Sequence, residues 1–217
     1  MKNLFRKILA LCKEILFPKN CVCCHKLGNL LCSECVSRCS FYNRTCKLDA
    51  HIINIPVYAV TYLDTVSRKI ITEFKYAGIC GLAPLIAQLT YEHCFIPPAD
   101  IITFVPLHPH KKMKRGFNQA ELLAQELSRI LNIPCVELLI RTQEMSPQAQ
   151  LKEKNLRLQN TAEIYTLSEA ATHCTKDKRI LIIDDVCTTG ATLGACGQVL
   201  RTGGFTQLAG LVIAHGT

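Results

Sequence analysis

Four consecutive apolar residues followed at once by two aspartates constrain the fold of this chain more than any other feature. The run is Ile-Leu-Ile-Ile at 180–183, and Asp184 and Asp185 come directly after it. An apolar run of this length without alternation is typical of a strand that is buried on both faces of a sheet. The two carboxylates then stand at the carboxyl end of that strand, where open α/β sheets bind their ligands.

Small residues follow the two aspartates and lead into a predicted helix at 192–201. The segment 188–191 (Thr-Thr-Gly-Ala) lets backbone N–H groups converge on an anion at the positive end of that helix, and Thr192 adds a hydroxyl. The oxygens of the aspartates suit the hydroxyls of a ribose or a magnesium ion. A simple cap on a turn is the alternative interpretation, but the complete run favours a phosphate site.

Alternating strand and helix signals predict an α/β protein with a mostly parallel sheet and helices on its faces. The predicted strands are 57–62, 101–105, 180–183 and 208–214. The predicted helices are 66–74, 82–91, 119–131 and 192–201. Hydrophobic residues make up 49% of the 217 residues, which is enough for one packed domain and a small appendage.

Cysteines concentrate near the N-terminus, where eight of the fourteen fall between Cys12 and Cys46. Two Cys-x-x-Cys pairs can bring four thiolates together as a closed tetrahedral site, and a closed site is structural. The predicted ligands of a Zn²⁺ ion are Cys21, Cys24, Cys32 and Cys35. Alternative ligands are Cys23, His25, Cys39 and Cys46. Free thiols in a small loop are the alternative to a metal.

Three segments are predicted along the chain. They are an N-terminal helix, a zinc-binding module and the α/β domain, at 1–18, 19–50 and 51–217. Apolar residues recur at helical spacing in the first segment, at Leu4, Ile8, Leu11 and Ile15. Such a helix packs on its own domain, or it binds a membrane surface or a partner. Its uncharged run is too short for a secretion signal or a membrane span, so we expect a cytoplasmic protein with reduced thiols.

The net charge and the aromatic content narrow the classes of partner. A formal charge of +8 indicates either a solvated positive face or an anionic partner, which is a phosphorylated small molecule or nucleic acid. Tryptophan is absent and aromatic residues make up only 6%, which argues against a surface that stacks single-stranded bases. No Gly-x-x-x-x-Gly-Lys-Ser/Thr motif occurs, so the chain is not an ATP-driven motor by itself.

The run at 180–192 resembles the 5-phosphoribosyl-1-diphosphate (PRPP) fingerprint of type I phosphoribosyltransferases. Further motifs resemble one branch of them, the ComF family, which is associated with bacterial competence. They are Phe-Lys-Tyr-Ala-Gly at 74–78, Val-Pro-Leu-His-Pro at 105–109, Arg-Gly-Phe-Asn-Gln-Ala-Glu-Leu-Leu-Ala at 115–124, and Arg141, Thr142, Pro147, Gln148, Leu151, Arg157 and Asn160. The resemblance implies a type I phosphoribosyltransferase fold with a small N-terminal Cys₄ zinc module.

The resemblance also implies which residues form the site. Asp184 and Asp185 would hold the ribose, with Arg115 as a further catalytic residue. The PRPP-binding residues would be Asp184, Asp185, Val186, Cys187, Thr188, Thr189, Gly190, Ala191 and Thr192, with Lys75 and Tyr76 at the diphosphate. A flexible loop is implied at 108–118, with Lys111, Lys112, Lys114, Arg115, Gly116 and Asn118. The alternatives are a solvated face for the lysines of this loop, and a filler or a redox-active thiol for Cys187.

The implied activity is transfer of the phosphoribosyl group with loss of diphosphate, with Mg²⁺ as cofactor and an acceptor that the sequence does not identify. The alternative is a competence factor without enzymatic activity, which uses PRPP as a regulatory ligand and binds a competence helicase or proteins that handle single-stranded DNA. A zinc-dependent DNA-binding regulator is a third class, and the few aromatic residues count against it.

Overall fold

The structure is a computed structural model, and it describes residues 19–42, 47–48, 55–142 and 164–216. Its strands are β1 (Lys47–Leu48), β2 (Val57–Tyr62), β3 (Ile101–Phe104), β4 (Leu139–Arg141), β5 (Tyr165–Leu167), β6 (Arg179–Cys187) and β7 (Gln207–His215). Its helices are α1 (Ser33–Val36), α2 (Thr65–Tyr76), α3 (Leu82–His93), α4 (Pro109–Arg115), α5 (Gln119–Leu131), α6 (Glu169–His173) and α7 (Ala191–Thr202). Among these helices, none has the length and hydropathy that crossing a membrane requires.

A five-stranded sheet with the order β1-β2-β7-β6-β3 lies at the centre. β2, β7, β6 and β3 run parallel, and β1 is antiparallel to β2 at one edge. β4 and β5 form a separate antiparallel ribbon. The predicted parallel sheet with helices on its faces is therefore confirmed. The ends of β3 and β6 are adjacent, since the N–H of Val105 donates to the carbonyl of Ile183 at 3.0 Å.

The apolar run of β6 supplies side chains to two hydrophobic cores, one on each face of the sheet. Leu181 and Ile183 pack into the core that contains residues of α2, α3 and α5, and Ile180 and Ile182 pack into the core that contains residues of α7. All four side chains are at most 1% exposed. Burial of each one contributes about 1.5–3 kcal/mol, which fixes β6 in the interior of the sheet, between β7 and β3.

Most of the predicted strands and helices are a few residues longer in the structure, β2 and α5 have the predicted bounds, β3 ends one residue earlier, and short elements are added. β6 continues to Cys187, four residues beyond the predicted strand at 180–183, and α7 begins at Ala191. The ribbon of β4 and β5 and the helix α6 were not predicted. Each has only three to five residues, which is too short for a hydrophobic period to be recognised.

The segment that the resemblance implied as a flexible loop, 108–118, contains helix α4. Pro109 opens the helix, where its missing N–H is not needed, and Nδ1 of His108 accepts a hydrogen bond from the N–H of His110 at 3.2 Å. Gly116 ends the helix with a left-handed φ of 83°. None of its residues is buried, so the sequence of α4 carries no amphipathic pattern.

The cysteine module packs against the α/β domain. Val22 and Leu31 are buried in the same core as residues of α2 and α3. Lys69 of α2 donates to the carbonyl of Cys23 at 2.8 Å and so joins the module to the helix. The helix predicted at 1–18 lies outside the described residues, as do both residues at the predicted boundary between the module and the domain.

Candidate functional site

The candidate site lies at the carboxyl end of β6, where the strand turns into α7. β6 stays paired with β7 as far as Cys187, which lies opposite His215. Val186 and Cys187, which we expected in the phosphate loop, therefore belong to the strand. The turn itself is only Thr188, Thr189 and Gly190. Gly190 adopts a left-handed φ of 78°, a conformation that glycine reaches without steric cost.

A small concavity of about 40 Å³ opens at this turn. It is lined by Asp184 and by the residues 186–193. Thr188, Thr189 and Thr192 are exposed, and the first turn of α7 has N–H groups without acceptors inside the helix. The positive end of α7 and these hydroxyls therefore face an open space that can hold an anion.

Asp184 is half-buried at the rim of this concavity. Its Oδ1 accepts a hydrogen bond from the N–H of Asp185 at 2.8 Å. Burial, and then the charge of the Asp185 carboxylate, raise the pKa of Asp184 to about 8, although that hydrogen bond and the charge of Lys75 lower it. A cation bound next to Asp184 would lower this pKa, because the positive charge stabilises the ionised form of the carboxyl group.

Asp185 forms an ion pair with Lys75 at the end of α2. Lys75 Nζ lies 2.8 Å from Asp185 Oδ1, and the two side chains are 21% and 14% exposed. An aspartate paired deep in the core would be a structural group only. This pair instead joins two residues that we expected at the site, and it retains contact with solvent. At the carboxyl end of β6, Lys75 therefore neutralises the carboxylate of Asp185, whereas the carboxylate of Asp184 has no ion-pair partner among the described residues.

Tyr76 and Arg115 meet beside Lys75. The guanidinium of Arg115 lies 5.0 Å from the centre of the Tyr76 ring, and its Nη1 donates to Oε1 of Gln119 at 3.2 Å. Nε2 of Gln119 in turn donates to the carbonyl of Lys75 at 3.4 Å. Gln119 is 2% exposed; it belongs to the motif at 115–124 that carried the resemblance, but no role at the site was expected of it.

The remaining residues expected in a flexible loop divide into two groups. Lys111, Lys112 and Lys114 are exposed on α4, and Lys112 forms a 2.8 Å ion pair with Glu121. Asn118 is buried, and it caps α5 by accepting from the N–H of Ala120 while its Nδ2 donates to the carbonyl of Val105. Asn118 lies in the short connection between α4 and α5, and these hydrogen bonds hold α5 against the end of β3.

Cys187 is buried in the core beneath α7. Burial, and then the charge of Asp184, raise the pKa of its thiol to about 11. The group is therefore a neutral thiol at pH 7 and lacks the thiolate that redox chemistry needs. Of the two alternatives for Cys187, this environment favours the filler.

Four cysteines form a cluster in the N-terminal module. The sulfur atoms of Cys21, Cys24, Cys32 and Cys35 all lie within 4.8 Å of one another, and those of Cys24 and Cys32 are 3.6 Å apart. Ligands at about 2.3 Å around a tetrahedral zinc ion lie roughly 3.8 Å from one another. The donor set and its spacing therefore fit a closed four-sulfur metal site.

The alternative ligands lie outside this cluster. Cys23, His25 and Cys39 are not among the four residues that converge, and Cys46 lies outside the described residues. Burial raises the pKa of Cys21, but N–H groups of Cys24, Cys32 and Cys23 directed at its sulfur outweigh burial and bring the pKa down to about 6. Backbone donors of this kind favour a thiolate, which is the form that binds a metal.

Known proteins resemble this chain over most of its length. The family profile described as "Phosphoribosyl transferase domain" matches residues 116–215. The DNA utilization protein YhgH of Escherichia coli (strain K12) is 35% identical over 201 residues, which cover 80% of this chain and 85% of that protein. Competence protein F of Haemophilus influenzae is 31% identical over 156 residues, 68% of this chain and 66% of that protein. Competence protein ComFC of Bacillus subtilis (strain 168) is 28% identical over 143 residues, which cover 64% of this chain and 55% of that protein.

The relatives and the structure agree on the fold of both the α/β domain and the cysteine module. The expected fold, a type I phosphoribosyltransferase domain with an N-terminal four-cysteine module, is confirmed by the sheet topology, the domain match and the sulfur cluster. The chain belongs to the ComF family of phosphoribosyltransferase-like proteins.

Proposed function

We propose that the site at the carboxyl end of β6 binds PRPP with Mg²⁺, and that the chain transfers the phosphoribosyl group to an acceptor with loss of diphosphate. One observation carries the proposal. The start of α7, the carboxylates of Asp184 and Asp185, and the ammonium group of Lys75 meet at a single edge. PRPP has a phosphate, a ribose and a diphosphate, and each of these groups has a chemical counterpart there.

The 5-phosphate would bind at the concavity, on the N–H groups and hydroxyls of 188–192. The ribose hydroxyls would donate to Asp184 and Asp185, which offer only acceptors when ionised. The same carboxylate oxygens would hold Mg²⁺, which prefers hard oxygen ligands, and Asp184 fits because its charged form lacks a cation partner among the described residues. When bound, the metal neutralises charge on the diphosphate.

Lys75, Tyr76 and Arg115 would surround the diphosphate. Lys75 already sits on Asp185, so a diphosphate has to compete for its ammonium group or share it. Arg115, held over Tyr76, offers planar donors that suit a diphosphate oxygen. The bond between the anomeric carbon and the diphosphate oxygen breaks while the acceptor attacks from the opposite face, and Lys75 and Arg115 stabilise the charge on the departing diphosphate.

The four-cysteine cluster would hold a structural Zn²⁺ ion. A closed tetrahedral site has no open position for water, so the ion stabilises the fold and takes no part in the transfer. The module is too short for a core of its own, but it contributes Val22 and Leu31 to the core of the domain. All cysteines in the described ranges are free, which supports a reducing compartment such as the cytoplasm.

A second function is favoured by the names of the relatives, which refer to competence and to DNA utilization. In this alternative the chain is a competence factor that senses PRPP and binds a helicase or proteins that handle single-stranded DNA. The same PRPP site serves both functions. They differ in whether diphosphate is released.

Diphosphate release distinguishes the two functions. The chain is incubated with PRPP, Mg²⁺ and a panel of nucleobases and ring-bearing carboxylates, and diphosphate is measured with a coupled assay. Transfer predicts release that depends on one acceptor and disappears in Asp184→Asn. PRPP binding without release for any acceptor, together with DNA affinity that falls with salt and changes with PRPP, would support the competence factor instead.

A further inference from the structure

A cavity of about 400 Å³ lies beside the proposed PRPP site and shares none of its residues. It is lined by Pro106 and Leu107, which follow the end of β3, by Met113 of α4, and by Glu137, Ile140 and Arg141 around β4. The ends of β3 and β6 are adjacent, so this cavity and the PRPP site open at one edge of the sheet. Small-molecule sites have volumes of roughly 300–1,000 Å³, and this cavity falls in that range.

Arg141 is a polar side chain of this cavity whose donors the protein does not fully use. Within the part of the chain that the structure describes, its Nε is a buried side-chain nitrogen without a hydrogen-bond partner. Its guanidinium lies 5.7 Å from the centre of the Tyr165 ring, which limits its orientations. Buried donors in native structures are nearly always paired, so this one calls for an acceptor that the described residues do not supply.

The other residues that line the cavity indicate which kind of ligand would fit beside Arg141. Met113 and Ile140 are large apolar side chains that are 77% and 43% exposed, and together with Leu107 they offer a surface for a flat ring. Lys112 also lines the cavity, but it is engaged by Glu121 at 2.8 Å. Arg141 has no ion-pair partner among the described residues, so its positive charge matches a single negative charge, which suits a carboxylate better than a doubly charged phosphate.

We propose that this cavity binds a small ring-bearing carboxylate, with the carboxylate on Arg141 and the ring against Met113 and Ile140. Glu137 is exposed at the same cavity and can accept a hydrogen bond from an amino group on the ring. Such a molecule would lie next to bound PRPP and would serve as the phosphoribosyl acceptor, a role that rests on the proposed function.

The test uses the full chain without PRPP, with 2-aminobenzoate as the probe and 2-aminobenzamide as its uncharged counterpart. Binding is followed by saturation-transfer NMR and by titration. We expect saturable binding of the carboxylate, at least tenfold weaker binding of the amide, and at least tenfold weaker binding of the carboxylate to Arg141→Gln. Arg68→Gln, an exposed arginine of α2 outside the cavity, should bind as the wild type does.

Met113→Glu keeps the test decisive if Arg141→Gln does not fold. The side chain is mostly exposed, so the fold should tolerate the change, while the added carboxylate repels the probe and weakens binding. No saturable binding, equal affinity for the amide, or unchanged affinity in the folded variants overturns the proposal. If PRPP does not bind but binding of the probe still requires Arg141, the carboxylate site is supported and only its role as the acceptor site is contradicted.

Discussion

Lys75 Nζ lies 2.8 Å from Asp185 Oδ1 and joins the last turn of α2 to the carboxyl end of β6. The two residues are 110 positions apart in the sequence, and the ion pair brings both to the edge where the start of α7 faces an open concavity. Without a ligand, the cation and the anion satisfy each other. When PRPP binds, we expect this ion pair to separate. The ribose hydroxyls would then donate to Asp185, and the ammonium group of Lys75 would contact the diphosphate.

Replacement of Lys75 by Met should weaken PRPP binding in the presence of Mg²⁺ by roughly ten- to a hundredfold, because a hydrogen bond to a charged group contributes about 1.5–3 kcal/mol. Stability without ligand should fall by about 1–3 kcal/mol, because both side chains are mostly buried and Asp185 loses its cation. The matched control is Lys178→Met, at the exposed residue that precedes β6 at the opposite edge of the sheet. Calorimetric titration of both variants checks the prediction. Equal PRPP affinity in Lys75→Met and wild type would contradict it.

The raised pKa of Asp184 predicts a pH-dependent gain of stability in Asp184→Asn. The pKa in the folded state, about 8, lies above the unfolded value near 4, so the native state keeps a proton that the unfolded chain has lost. Wild-type stability therefore falls as the pH rises from about 4 to about 8. Asp184→Asn should match the wild type near pH 4 and exceed it by roughly 1–3 kcal/mol at pH 8.

Asp100 provides a control of opposite sign. Hydrogen bonds from Arg179 hold its pKa well below the usual range, so its contribution is present at neutral pH and is lost as the pH falls. Asp100→Asn should melt below the wild type at pH 7 and converge with it in acid. Melting curves of Asp184→Asn between about pH 4 and pH 8, and of Asp100→Asn between about pH 2 and pH 7, show the two opposite trends. A constant offset for Asp184→Asn would refute the assignment of its pKa.

Gly190→Ala should affect the ligand more than the fold. Its φ of 78° disfavours a side chain by about 1–2 kcal/mol, and relief of this strain would reorient the N–H groups that face the concavity. Gly204→Ala carries the same kind of strain after the other end of α7, where φ is 92°. Both variants should lose similar stability in thermal melts, and only Gly190→Ala should lose PRPP affinity by more than about tenfold. Similar PRPP affinity in the two variants would argue against a phosphate at this turn.

Removal of one cysteine of the four should release the metal and destabilise the whole domain. Cys24→Ser leaves three sulfur ligands, and Val22 and Leu31 then lose the support that holds them in the core. We expect about one zinc ion per wild-type chain, none in Cys24→Ser, and a melting temperature lower by roughly 10 °C, or about 3–4 kcal/mol. Cys39→Ser, outside the cluster, should keep its metal. Protein purified without chelator that contains no zinc would rule out the site.

The sequence was most informative where a residue pattern determines the structure by itself. The run at 180–183 has to be buried on both faces, so the position of β6 and of the carboxylates after it could be predicted. The amphipathic period of α5 gave its bounds, Gln119–Leu131, without error. The spacing of the cysteines was sufficient for the four-sulfur cluster, because each pair forms within one short turn.

The rest depends on contacts between distant segments. The resemblance implied that Lys75 lies at the site, but no residue pattern indicates that it contacts Asp185, so the ion pair itself could not be predicted. β4 and β5 have three residues each and are stable only because they pair with each other. Helix α4 has no buried face, and its caps, His108 and Gly116, give it a structure that hydrophobic periodicity does not reveal.

The central claim is that Asp184 and Asp185 bind PRPP with Mg²⁺ and do not merely hold the fold together. A thermal-shift titration of wild type and the Asp184→Asn, Asp185→Asn double variant tests it most directly. PRPP with Mg²⁺ at about a hundred times its dissociation constant should stabilise the wild type by about 2.7 kcal/mol. Without ligand the double variant should melt close to the wild type, because the gain from Asp184→Asn offsets the loss of the ion pair between Asp185 and Lys75, and it should show no shift with PRPP. A double variant that unfolds, or that shifts as the wild type does, would contradict the claim.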